Sequence, residues 1–107
     1  MTDTPKISDI LERIDRIARA TREGKEVFLA SEVIQDAVVH NLEVIGEAAK
    51  GTSEGTRRHY PEVPWREMAR FRDLALHHYG RVQPEEVWEV VEHDLPAIRR
   101  SLAHGRD

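Results

Sequence analysis

Between positions 71 and 80 the chain reads Phe71-Arg72-Asp73-Leu74-Ala75-Leu76-His77-His78-Tyr79-Gly80. An arginine, a carboxylate, two adjacent histidines and a tyrosine crowd the end of one helical pattern, a mixture that burying a core does not require. Arginine is a permanent cation whose planar fork can hold a phosphate bidentately, and an imidazole of unperturbed pKa about 6.5 exchanges protons near neutral pH. Together they suit RNA phosphodiester cleavage. The ribose 2′-hydroxyl is an internal nucleophile, so the protein need supply only proton transfer and a cation for the developing charge. His77 is the candidate acid or base and Arg72 the candidate phosphate clamp, with no metal required. A surface arginine and a histidine stabilised by a helix C-terminus would account for the same pair without chemistry.

Spacing constrains how these groups can meet. A helix turns about 100° per residue, so Arg72 and His77 diverge by roughly 140° on a straight helix. Either the helix loosens before His77, or two copies meet about a two-fold axis and line one cleft together. Asp73 and His77 are four apart and face the same way, so a carboxylate there can orient the imidazole and select its tautomer. His78 can bind phosphate or pack. Tyr79 lies on the Arg72 side, where an amphipathic ring packs and its hydroxyl is solvated. His59, His93 and His104 read as solvated, and no cluster of Asp, Glu and His has a recognisable metal spacing.

The elements that must position this stretch are helical throughout. Ile7, Ile10, Leu11, Ile14, Ile17 and Ala18 form one stripe, with Thr4-Pro5 as its start and Gly24 as its stop. A long second series runs through Val33, Ile34, Ala37, Val38, Leu42, Ile45, Ala48 and Ala49, with Ser31 as its cap. Its small Gly46, Ala48 and Ala49 would let a neighbouring helix come close, while His40 and Asn41 read as solvated or hydrogen-bonded between helices. After Gly51 and Gly55 comes a polar connector to Tyr60. Pro61 and Pro64 punctuate the entry to a third helix from Trp65, apolar on two flanks and therefore packed both on its own bundle and on a second copy. Gln83-Pro84-Glu85-Glu86 starts the last helix, whose stripe is Val87, Trp88, Val91, Leu95, Ile98 and Leu102, and Pro96 predicts a kink between Glu92 and Leu95. The expected fold is all-α, an antiparallel four-helix bundle with a kinked C-terminal helix.

At 107 residues the chain is one domain, 1–107, and it has no cysteine, which excludes disulfides and thiolate metal sites. No signal-peptide core or membrane span is legible, so the expected location is cytoplasmic. The net charge of −4 opposes a polyanionic partner, but its distribution does not. Arginines 57, 58, 66, 70, 72 and 81 outnumber Glu62, Glu67 and Asp73, leaving a basic centre of +3 on a body of −7. Such a centre can guide a polyanion to one place.

Several stretches taken together resemble one family. They are Gln35-Asp36-Ala37-Val38, Asn41 to Lys50, Tyr60-Pro61-Glu62-Val63-Pro64-Trp65-Arg66, the Arg72 to Tyr79 segment, Val87-Trp88 and Asp94-Leu95-Pro96. The pattern, from about Ile7 to Leu102, is similar to the HepT-like toxins of the HEPN ribonuclease superfamily. The resemblance implies a HEPN-like bundle, a homodimer, and an RNA-cleaving toxin with Arg72 and His77 as catalytic residues. It implies no cofactor for this chain. Tyr79 would accept AMP from a cognate minimal nucleotidyltransferase antitoxin of MntA type, ATP and magnesium serving only that partner. The family pattern has asparagine where this chain has Asp73, and often glycine where it has His78. The competing expectation is a non-catalytic helical binding subunit for a nucleotidyltransferase or nucleotide.

Overall fold

The computed structural model describes residues 4–77 and 83–105, so His78 and Tyr79 lie outside the described residues. Isoleucines 7, 10, 14 and 17, spaced three and four apart, are all buried along one side of α1 (Thr4–Ala20). They meet Val38, Leu42, Ile45 and Ala49 of α3 (Glu32–Lys50), which are at most fractionally exposed. The two helices run antiparallel. Lys6 Nζ at the start of α1 donates to the Gly51 carbonyl just past the end of α3 (2.5 Å), and Arg13 Nη1 in its middle donates to Asn41 Oδ1 (3.2 Å).

Helix α3 is the centre of the molecule. On its far side lie α5 (Trp65–Ala69) and α6 (Phe71–Leu76), which bury Trp65, Met68, Phe71 and Ala75. The last arm consists of α7 (Pro84–Glu89), a π-helical turn (Val90–Asp94) and α8 (Leu95–Gly105), and α8 packs back on α1. The protein is therefore all-α, as its periodicities predict, and its long arms are consistent with a HEPN-like helical bundle. Among the described residues no helix is long and apolar enough to cross a membrane.

The cap and the kink sit where the residues ask for them. Ser31 accepts the Ile34 amide at the start of α3 (3.1 Å). Proline at 96 has no N–H for the Glu92 carbonyl, and its ring crowds that carbonyl, so the preceding turn widens. The Leu95 amide bonds to Val90 five residues back instead of four.

Four expectations need amendment. The stretch after Gly24 holds a short helix, α2 (Lys25–Ala30), with Gly24 at its N-cap in the left-handed region (φ 99°). The polar connector contains α4 (Glu54–His59), capped by the Ser53 side chain at Thr56 (3.2 Å). The helix from Trp65 is interrupted at Arg70, whose amide reaches back only three residues to Glu67 (3.1 Å) and tightens the turn. Val33, placed in the apolar stripe by spacing, is 80% exposed.

Candidate active site

Arg72 stands in the first turn of α6, where the chain passes closest to α3. Gly46 makes that approach possible, because a Cβ built on it would lie 2.6 Å from the Arg72 amide nitrogen and 3.1 Å from the Arg72 Cβ. The small-residue band thus serves the packing role its composition suggests. One residue further along α3, Glu47 Oε1 forms an ion pair with Arg72 Nε. Both side chains remain about half exposed, so the pair faces solvent and the rest of the guanidinium is accessible.

His77 caps α6. Its own backbone leaves helical geometry (φ −95°, ψ 0°), but its amide still closes a regular turn on Asp73, so the helix does not loosen before the histidine and the divergence from Arg72 stands. The ring is oriented by main chain, not by the neighbouring carboxylate. Nδ1 lies 2.8 Å from the Asp73 carbonyl oxygen, which also accepts the His77 amide at 3.1 Å. The expectation that the Asp73 side chain orients the imidazole is corrected in that respect. A carbonyl oxygen has two lone pairs, so the Asp73 oxygen can take the ring nitrogen beside the His77 amide. Arg72 and His77 do not bond to each other within one chain.

Beside this segment, between α3 and α6, lies a groove of about 240 Å³ lined by Asp36, Val39, His40, Glu43, Ala75 and Leu76. His40 is exposed at its edge. Asn41 is buried, with Nδ2 donating to the Ala37 carbonyl (2.7 Å) while Oδ1 accepts from Arg13, the interhelical role expected of it. The basic centre is less free than its charge suggests. Arg57 Nη2 donates to the Ala49 carbonyl at the end of α3 (2.9 Å), Arg58 pairs with Glu54 (3.6 Å) and Arg72 with Glu47. Among the described residues Arg66 and Arg70 are exposed and carry no ion pair.

The sequence showed no metal spacing, yet Glu89, Glu92 and His93 bring their ligand atoms within 4.8 Å of one another on the C-terminal arm. All three are exposed, and His93 Nε2 lies 3.3 Å from Glu92 and 3.7 Å from Glu89, an ion-pair arrangement once the ring is protonated. The group belongs to a different arm from Arg72 and His77. Glu47 is the residue that spacing alone missed. Its signal is its place immediately after Gly46, the position on α3 that touches Arg72.

The family described as Ribonuclease HepT-like matches residues 10–104. "Probable ribonuclease HepT" of Thermococcus cleftensis is 43% identical over 94 residues, covering 87% of this chain and 86% of that protein. "Putative RNase MJ0127" of Methanocaldococcus jannaschii is 42% identical over 89 residues, covering 82% of this chain and 74% of that protein. No solved structure matches significantly. With a family match across nearly its whole length and relatives of this identity, the chain belongs to the HepT-like ribonuclease family.

Proposed function

We propose that the protein is a metal-independent endoribonuclease that acts as a homodimer and as the toxin of a toxin–antitoxin pair. The observation that carries this reading is the bond between His77 Nδ1 and the Asp73 carbonyl. A carbonyl oxygen only accepts, so the neutral ring holds its proton on Nδ1 and presents Nε2 as a base. Nε2 takes the proton of a ribose 2′-hydroxyl, and O2′ then bonds to phosphorus. The P–O5′ bond breaks, and the 5′ oxygen leaves with a proton from water or from the second copy's imidazole. The products are a 2′,3′-cyclic phosphate and a 5′-hydroxyl. Arg72 neutralises the charge that gathers on the phosphoryl oxygens.

A second copy supplies what one chain lacks, since Arg72 and His77 do not meet within it. Leu76, between them in sequence and 55% exposed, is the apolar group that such a contact would cover. Tyr79, outside the described residues, is the proposed acceptor of AMP from a cognate minimal nucleotidyltransferase. A phosphodiester placed there brings negative charge next to the cation that RNA needs, and this switches the site off. His78 is assigned to phosphate binding in the same segment. The resemblance of the Arg72 to Tyr79 stretch supports these assignments, and the proposed setting is the cytoplasm, where RNA is at hand.

The test is cleavage of RNA by the purified chain in excess EDTA. Cleavage should vanish in His77→Ala and Arg72→Ala while their circular dichroism stays helical. Intact RNA with the wild-type chain, together with tight binding of the transferase, would establish a non-catalytic binding subunit instead. After coexpression with the transferase, mass increments of AMP should be absent from Tyr79→Phe.

A further inference from the structure

The Arg72 guanidinium is already held within the chain. Glu47 on α3 forms an ion pair with Arg72 at Nε, and the preceding residue, Gly46, is the one against which the Arg72 backbone is packed. Two successive residues of the central helix therefore fix Arg72, one at its main chain and one at its side-chain neck. We propose that Glu47 is the positioning residue for Arg72, anchoring Nε so that the Nη1–Nη2 edge is left to meet the scissile phosphate. This inference rests on the ribonuclease reading and adds a residue and a direction of approach to it.

The chemistry of the guanidinium decides which edge is used. It has five N–H donors in a rigid plane, and a carboxylate on Nε removes the side-on fork that uses Nε with one Nη. What remains is the end-on fork of Nη1 and Nη2, which matches two phosphoryl oxygens. An anchored plane loses less freedom when phosphate arrives than a swinging one, so the benefit falls on turnover. The Glu47 charge acts the other way on binding, because a carboxylate next to the cation weakens its hold on a polyanion in the ground state. Glu47 should therefore raise kcat without tightening substrate binding.

Steady-state cleavage of a short RNA separates these effects. Glu47→Ala should lower kcat on the order of 10- to 100-fold, the cost of a misplaced catalytic group, with KM unchanged or lower. Glu47→Gln keeps an oxygen that accepts from Nε without the charge, and should restore most of the lost kcat. An unchanged kcat in Glu47→Ala, or no rescue by glutamine, overturns the inference.

A second readout does not depend on activity. The Arg72 Nε–H signal in a nitrogen–proton NMR spectrum should be slow to exchange in wild type and Glu47→Gln, and lost or averaged in Glu47→Ala. An unchanged signal in Glu47→Ala shows that Glu47 does not hold the guanidinium, whatever the cleavage result. RNA left intact by the wild-type chain overturns the ribonuclease reading and the catalytic role of Glu47 with it, while the NMR signal still decides the anchor itself.

Discussion

Gly46 and Arg72 touch so closely that a single added carbon on the glycine would sit 2.6 Å from the arginine's amide nitrogen, which is backbone and cannot swing aside. Gly46→Ala must therefore push α6 away from α3. Overpacking of this kind costs about 1–3 kcal/mol. A chain of this size loses about 4–8 °C in melting temperature per kcal/mol. Calorimetry should register that drop, and RNA cleavage should fall further than the lost stability explains, because the displaced helix carries Arg72.

Orientation of His77 by the Asp73 carbonyl separates the role of that residue's main chain from the role of its carboxylate. Asp73→Asn keeps the carbonyl and removes a negative charge next to Arg72 in sequence. Its kcat should stay within about threefold of wild type while KM falls, as expected when like charge is removed from a polyanion site. A kcat loss on the scale of His77→Ala would show that the carboxylate itself is needed.

Leu76 is apolar, 55% exposed, and borders the groove between α3 and α6. If a second copy covers it, Leu76→Asp places a charge in that contact and should shift sedimentation toward the monomer, with cleavage falling in parallel. The variant should melt close to wild type when both are monomeric, since an exposed side chain adds little to the fold of one chain, within about 0.5 kcal/mol.

Asp15 and Arg99 join α1 to α8 through two bonds of 2.8 and 3.2 Å. The bonded guanidinium holds the Asp15 carboxyl below its ordinary value of 3.8. An acid whose folded pKa is depressed contributes stability that is fully present above its unfolded value and is lost as pH falls through the folded one. The pair is largely solvated, so its contribution is only ~0.5 kcal/mol. Urea midpoints of wild type and Arg99→Ala should differ slightly at pH 7 and converge as the pH is lowered past the carboxylate range.

Gln35 is a buried polar residue whose Nε2 donates to the carbonyls of Phe28 and Leu29, both at 3.1 Å, closing the end of α2. Gln35→Leu leaves the Leu29 carbonyl without its donor, while the Phe28 carbonyl keeps the Ser31 amide, at about 1–3 kcal/mol. Thermal stability should drop while the kcat of the folded protein is kept, which separates damage to the scaffold from damage at Arg72 and His77.

What the residues disclosed depends on how far along the chain each cause acts. The isoleucine stripe of α1, the Ser31 cap and the widened turn before Pro96 are local, and each was legible. Helices α2 and α4 span six residues each, too few for a periodic signal, and α4 contains Gly55. Val33 was read into the core series, but at about 100° per residue it stands on the side of α3 opposite Val38, Leu42, Ile45 and Ala49, and it is 80% exposed. Arg72 and His77 were legible from residue type, whereas Glu47 was not, because its partner lies in another helix and only the fold joins them.

The wide turn before Pro96 amounts to one surplus amino acid spliced into an otherwise regular rod. The surplus is absorbed within that turn, so that a single arm keeps its grip on two different neighbours: Trp88 leans on Phe28 of α2 with ring centroids 5.4 Å apart, while Arg99 clasps Asp15 of α1. Shortening the chain by one residue inside Val90–Asp94, with Pro96→Ala to relieve the ring, should leave both grips in place. The same deletion in α3 would throw every side chain beyond it out of alignment.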